Sequence, residues 1–169
     1  LITSIGQGFI LCTPLQMAVM TARLINGGRA VKPKLLKLEG EMNQFGPSLK
    51  LNPRHLKIVM EGMNKVTNGS QGTARKVQNP SSKFNFGGKS GSVQVKRISL
   101  NDRLTGKIKN EDRPWKERDH AMFVAYAPIK SPRYVTSVVV EHGGGGSTMA
   151  APIARDILEK TMRLDPSRF

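Results

Sequence analysis

The sequence predicts an α+β fold, three antiparallel strands with flanking helices, on three observations. Helix-capping signals punctuate the first half, strand-like apolar runs fill the second, and no strand–helix–strand alternation links the two. The 169 residues fit one domain. The helical part is expected at about 1–80, and the sheet with its terminal helix at about 86–164. A chain of this length can bury roughly 70% of its unfolded surface.

The first helix opens at Thr13-Pro14-Leu15-Gln16, an N-cap threonine followed by Pro at the first helical position and Gln at the third. Leu15, Ala18, Val19, Ala22 and Ile25 recur at helical spacing, and Asn26-Gly27-Gly28 ends the run. Asn52-Pro53 opens a second helix with Leu56, Val59, Met60 and Met63 on one face and Asn68-Gly69 behind it. A third runs from near Ser147-Thr148 to about Met162, with Ile153, Ile157 and Leu158 inward and a stop at Asp165-Pro166. All three stripes read as core.

Strands follow a different period. Ser92, Gln94 and Lys96 alternate with Val93 and Val95, predicting a strand over Lys89–Val95. Ala121–Ala127, the turn Lys130-Ser131-Pro132 and Tyr134–Glu141 read as a hairpin of buried strands. Ser99–Asp119, polar and charged with Pro114 and Trp115, is an excursion between adjacent antiparallel strands. The first strand is therefore expected to pair with Ala121–Ala127.

Composition excludes several classes. With 38% hydrophobic and 23% charged residues the chain has an ordinary globular balance. Its longest apolar stretches, Ala121–Ala127 and Val135–Val140, fall far short of the ~20 residues of a membrane helix. Leu1-Ile2-Thr3 has neither an initiator Met nor a charged n-region, so the sequence is expected to begin mid-protein, without a signal peptide. Cys12, the single cysteine, excludes an internal disulfide and is expected as a small buried filler. His55 and His120 lack metal-ligand spacing, and neither a metal nor a cofactor is expected. The net charge of +15, from 27 Lys+Arg against 12 Asp+Glu, attracts polyanions non-specifically. These basic residues are spread along the chain without an aromatic–basic pattern, which argues against a specific nucleic-acid partner.

The chemistry concentrates in Phe86-Gly87-Gly88-Lys89-Ser90-Gly91-Ser92-Val93-Gln94-Val95. Gly-Lys-Ser suggests a phosphate loop, but that motif needs a glycine where Lys83 stands and a helix where Val93 and Val95 alternate as a strand. The other reading is the Lys-[Ser/Thr]-Gly strand of penicillin-binding serine acyltransferases. Lys89 supplies positive charge for a substrate carboxylate. Ser90 donates to that carboxylate, Gly91 lets substrate backbone lie along the edge, and the Ser92 N–H faces an oxyanion. Gln94 completes the candidate substrate-binding set of Ser90, Gly91, Ser92 and Gln94.

Further segments carry the same resemblance. Ile5-Gly6-Gln7-Gly8 with Thr13-Pro14-Leu15-Gln16, Arg118-Asp119-His120 running through Phe123 to Pro128, Val138–Gly144, and Ala150-Ala151-Pro152-Ile153-Ala154 are collinear with the class B penicillin-binding proteins. The chain is identified as the C-terminal portion of such a transpeptidase domain, residues 1–169, of the penicillin-binding/β-lactamase-like fold. The resemblance implies a serine D,D-transpeptidase that cross-links peptidoglycan stem peptides and is acylated by β-lactams. It implies as partners cell-wall elongation proteins such as a lipid-linked glycan polymerase. It implies a location at the periplasmic face of the bacterial inner membrane.

Departures from the family pattern matter equally. No Ser-x-x-Lys nucleophile motif occurs; Thr73-Ala74-Arg75-Lys76 has only its spacing and is set aside, as is Ser99-Leu100-Asn101 for the Ser-x-Asn motif. Both motifs, and the N-terminal strands that complete the family sheet, are expected upstream of Leu1. Ser92 stands where many relatives have Thr. An isolated chain of this kind is expected to be inactive, and either to self-associate through the stripe Ile153, Ile157 and Leu158 or to derive from a longer polypeptide that covers it. His142 is read as structural, and the glycine run before Ser147 as a flexible strand-to-helix turn. Two other readings stay open: a non-catalytic interaction domain of cell-wall assembly, and a basic nucleic-acid-binding module.

Overall fold

The structure, a computed structural model, describes residues 10–36, 46–78, 84–106 and 109–165. Helix α1 spans Pro14–Ile25 and starts as the sequence requires. The Gln16 N–H donates to the Thr13 hydroxyl at 3.2 Å and the Thr13 N–H to Gln16 Oε1 at 2.8 Å. This reciprocal capping box satisfies two N–H groups that the first turn would leave orphaned. The inward row differs from the one expected. Thr21 is buried, Met17 and Ile25 pack on the core, and Leu15 is 58% exposed. A polar Thr21 can hold that row because its hydroxyl donates to the Met17 carbonyl at 2.9 Å.

Helix α2, Pro53–Asn68, is capped by the Asn52 side chain, which accepts from the Arg54 N–H at 2.9 Å. It buries Leu56, Met63 and Thr67, while Val59 stays 42% exposed. Its end is tied to the sheet. The Thr67 hydroxyl and the Asn68 amide both donate to the Phe86 carbonyl, one residue before the first strand.

The strands β1 (Gly87–Val93), β2 (His120–Ala127) and β3 (Tyr134–Val140) form one antiparallel sheet in the order β1-β2-β3. The predicted hairpin and the pairing of the Lys89 strand with Ala121–Ala127 are both present. The first strand, however, begins two residues earlier than predicted and stops at Val93. Its last pair is Val93↔His120, where β2 begins, so Gln94 and Val95 have no partner residue to continue the ladder.

Alternation along β2 separates two cores. Ala121, Phe123, Ala125 and Ala127, with Val138 of β3, pack against helix α4 (Ala151–Leu164). Val124 and Tyr126 face the other way, toward Met63 of α2 and Met17 and Ile25 of α1. Helix α4 buries Ala151, Ala154 and Leu158 and leaves Ile153 and Ile157 at 43% and 45% exposure. Of the expected stripe only Leu158 turns inward, and the buried face is rotated toward Ala151 and Ala154. A π-turn, Gly146–Ala150, precedes α4 and seats Gly146 against the backbone of β1 and β2, which sets the phase of everything after it. Leu158→Ala is expected to cost about 2–5 kcal/mol, whereas Ile157→Ala should stay within about 0.5 kcal/mol. Equal losses in denaturant unfolding would reject this phase.

The described residues of the excursion between β1 and β2 are folded. Ser99 caps the short helix α3, Leu100–Leu104, through a capping box with Asp102, and these hydrogen bonds hold the Asp102 carboxyl below its ordinary pKa. Lys96 pairs with Glu117 at 2.7 Å, and Arg113 with Asp119 at 3.4 Å. Cys12 is exposed rather than buried, as are Ile10 and Leu11 beside it. These residues precede the α1 cap and pack under no described element. Ile5-Gly6-Gln7-Gly8 lies outside the described residues.

Candidate active site

Strand β1, like β3, is an outer strand of the described sheet: β2 pairs with one of its edges, and among the described residues no strand pairs with the other. An outer strand presents unpaired backbone groups to which an extended chain can add. The register Lys89↔Val124 and Gly91↔Met122 turns Lys89 and Gly91 toward the α1–α2 side, and Ser90↔Phe123 and Ser92↔Ala121 turns the two serines toward the other. Lys89, Ser90, Gly91 and Ser92 line one groove of about 530 Å³. Its opposite wall is apolar and includes Met20 of α1 and Val59 and Met63 of α2. Val59, expected as core, lines this groove instead. Gln94 is exposed past the strand end and is not part of the groove lining.

Three glycines of β1 stand under different constraints. A Cβ at Gly87 would fall 2.6 Å from the Tyr126 ring, and one at Gly88 would meet the Phe123 ring and the Val124 carbonyl, so packing forbids side chains there. A Cβ at Gly91 would touch only the Cβ of Met122, at 3.6 Å, an ordinary contact. The fold would accept alanine at 91. What Gly91 preserves is room in the groove.

The Lys89 ammonium donates to the Ser90 carbonyl at 2.7 Å and, among the described residues, pairs with no carboxylate. The Ser92 hydroxyl donates to the Gly144 carbonyl at 3.3 Å, and the Gly144 N–H to the Asp119 carbonyl at 2.8 Å. The glycine run is therefore a clamp, not the flexible turn expected. Gly144 takes the left-handed conformation, φ +80°, against the Asn110 side chain, and Gly146 leaves no space for a Cβ. His142 closes the clamp. Its backbone N–H donates to His120 Nδ1 at 2.9 Å, its own Nδ1 lies 2.9 Å from the Arg118 carbonyl, and its ring meets Trp115 at a tilt and His120 edge-to-face, with centroids 4.4 and 4.6 Å away. Both ring contacts and both hydrogen bonds are internal, so His142 holds structure and faces no groove.

Thr73, set aside in the sequence, is the residue that sequence reasoning missed: its hydroxyl lies 3.4 Å from that of Ser90. The local pattern Gly72-Thr73-Ala74 after the α2 stop is the only hint of it in the chain. Among the described residues, no cluster of His, Cys, Asp or Glu could hold a metal ion, and no helix is long and apolar enough to cross a membrane.

Comparison with known proteins follows the same outline. The peptidoglycan D,D-transpeptidase MrdA of Haemophilus influenzae is 36% identical over 164 residues, covering 92% of this chain and 24% of that protein. MrdA of Escherichia coli is 29% identical over 166 residues, covering 94% and 25%. The chain thus spans about a quarter of the length of these curated relatives. A crystal structure of Pseudomonas aeruginosa PBP2 in complex with WCK 5153 superposes with a TM-score of 0.75 at 35% identity, covering 98% of this chain and 33% of that one. The complex between PBP2 and MreC of Helicobacter pylori also gives 0.75, at 28% identity, covering 96% and 27%. Residues 1–159 match the penicillin binding protein transpeptidase domain, and with the three-stranded sheet and its outer Lys-Ser-Gly strand in place, the chain belongs to that family.

Proposed function

We propose that these residues form the substrate-binding wall of a serine D,D-transpeptidase that cross-links peptidoglycan stem peptides. The supporting observation is the position of Lys89-Ser90-Gly91-Ser92 on an outer strand along a groove that Gly91 keeps open without any demand from the fold. A stem peptide adds along β1 as a further strand. Lys89 supplies the charge that its carboxylate meets, Ser90 offers a hydroxyl to the same group, Ser92 adds its own only if that hydroxyl releases the Gly144 carbonyl, and the Ser92 N–H stabilises the oxyanion as the acyl group transfers. Gln94 contributes only if the strand lengthens on binding.

Acyl transfer also needs an activated nucleophile. None of the 169 residues forms a Ser-x-x-Lys motif, so the nucleophile of this reading lies outside them. β-Lactams, as mimics of the stem peptide, would occupy the same groove. The Helicobacter pylori relative is solved as a complex with MreC, and a protein partner from cell-wall elongation is proposed for this chain's parent too. The place of action proposed is the periplasmic face of the inner membrane.

Labelling with a fluorescent penicillin tests the reading. The full-length protein is expected to form a covalent adduct, and a polypeptide of these 169 residues alone to form none. An adduct mapped by peptide mass to any residue of Leu1–Phe169 would overturn the assignment of roles.

A further inference from the structure

The turn after α2 is built with unusual tightness for an exposed segment. A Cβ at Gly69 would lie 2.6 Å from the Lys65 carbonyl, and one at Gly72 would collide with the Val66 and Lys65 carbonyls. The Ala74 N–H donates to the Val66 carbonyl at 2.9 Å, and Ala74 itself is 1% exposed. Between Gly72 and Ala74 the exposed Thr73 is held in place, and its hydroxyl lies 3.4 Å from Ser90 Oγ. A backbone pinned on both sides gives that hydroxyl a defined place, although Thr73 is itself exposed.

We propose that Thr73 is a positioning residue for substrate binding, acting through Ser90. A serine hydroxyl has one proton and two lone pairs, and its rotor is free unless a neighbour fixes it. When Thr73 donates to Ser90 Oγ, the Ser90 proton is directed away from Thr73 and toward the carboxylate of an extended ligand on β1. Chained hydrogen bonds of this kind strengthen one another. Thr73 moves no proton in the reaction. It sets the direction of one that binds. The inference rests on the proposed role of the Lys89–Ser92 strand.

The test is a double-substitution cycle in the full-length protein, read as the rate constant for acylation by a fluorescent penicillin. Thr73→Val, which removes the hydroxyl and keeps the shape, is expected to slow acylation about tenfold by weakening the non-covalent complex, with the maximal acylation rate little changed. Thr73→Ser is expected to restore it. In a Ser90→Ala background Thr73→Val should cause no further loss, because the group it directs is gone. Unchanged thermal midpoints confirm that the variants are folded. Should Ser90→Ala slow acylation while Thr73→Val either does nothing or adds its full loss on top, the positioning role is wrong and the strand's role stands. If Ser90→Ala and Lys89→Ala both leave acylation untouched, the strand's role fails and the inference fails with it.

Discussion

Gly146→Ala is expected to destabilise the domain by about 3 kcal/mol, near the upper end of overpacking costs. The new methyl would fall on the carbonyl oxygens of Met122 and Gly91 and 2.9 Å from the Gly91 nitrogen. These are backbone atoms of two paired strands, so no side-chain rotation relieves the overlap. Either the π-turn lifts from the sheet or β1 separates from β2. Both routes disturb Gly91 itself, so loss of penicillin labelling should accompany loss of stability. Gly62→Ala is the matching control. It sits inside α2 with nothing within 4 Å of its Cβ position. There the methyl removes backbone freedom from the unfolded chain and should stabilise by roughly 0.5–1 kcal/mol. Equilibrium unfolding of the two variants decides the matter: shifts of the same sign and size would refute the close seating of the π-turn.

Lys89→Ala is expected to lower acylation of the full-length protein by about 10²- to 10³-fold, the range found when a single stabilising donor is removed from an acyl-transfer site. Lys89 lines an apolar-walled groove, where a ligand that displaces water would leave its charge less screened than in bulk water. Among the described residues no carboxylate neutralises it. Its hydrogen bond to the Ser90 carbonyl, at 2.7 Å on an exposed side chain, contributes little to folding. Stability should therefore stay within about 0.5 kcal/mol of the parent. That split, a large kinetic loss with an unchanged unfolding midpoint, separates a binding role from a structural one. Lys89→Arg is expected to recover only part of the rate, since a planar guanidinium cannot place its charge where a compact ammonium does. Acylation within about threefold of the parent in Lys89→Ala would rule out the proposed role.

Local chemistry made several features legible in the sequence alone. The Thr13–Gln16 cap, the Asn52 cap and the hairpin β2–β3 each depend on residues close in the chain, and each is present where the sequence put it. The Lys89-Ser90-Gly91-Ser92 strand was legible too, because its alternation and its order among the other segments need no tertiary information. Beyond these, contacts between distant backbones decided the outcome. Of the expected α4 stripe Ile153, Ile157 and Leu158, only Leu158 is buried, because helical spacing defines a face but not which face turns inward. The seating of Gly146 against Gly91 and Met122, residues far apart in the chain, settled that phase. Strand β1 ended at Val93 because β2 supplies no residue before His120 to pair with Gln94. Thr73 met Ser90 across 17 residues only because Thr67 and Asn68 bind the Phe86 carbonyl and bring the end of α2 to the start of β1. A single sequence records periods and caps, which repeat over a few residues. It does not record the one-off approaches of distant backbone atoms that set the phase of α4, the end of β1 and the meeting of Thr73 with Ser90.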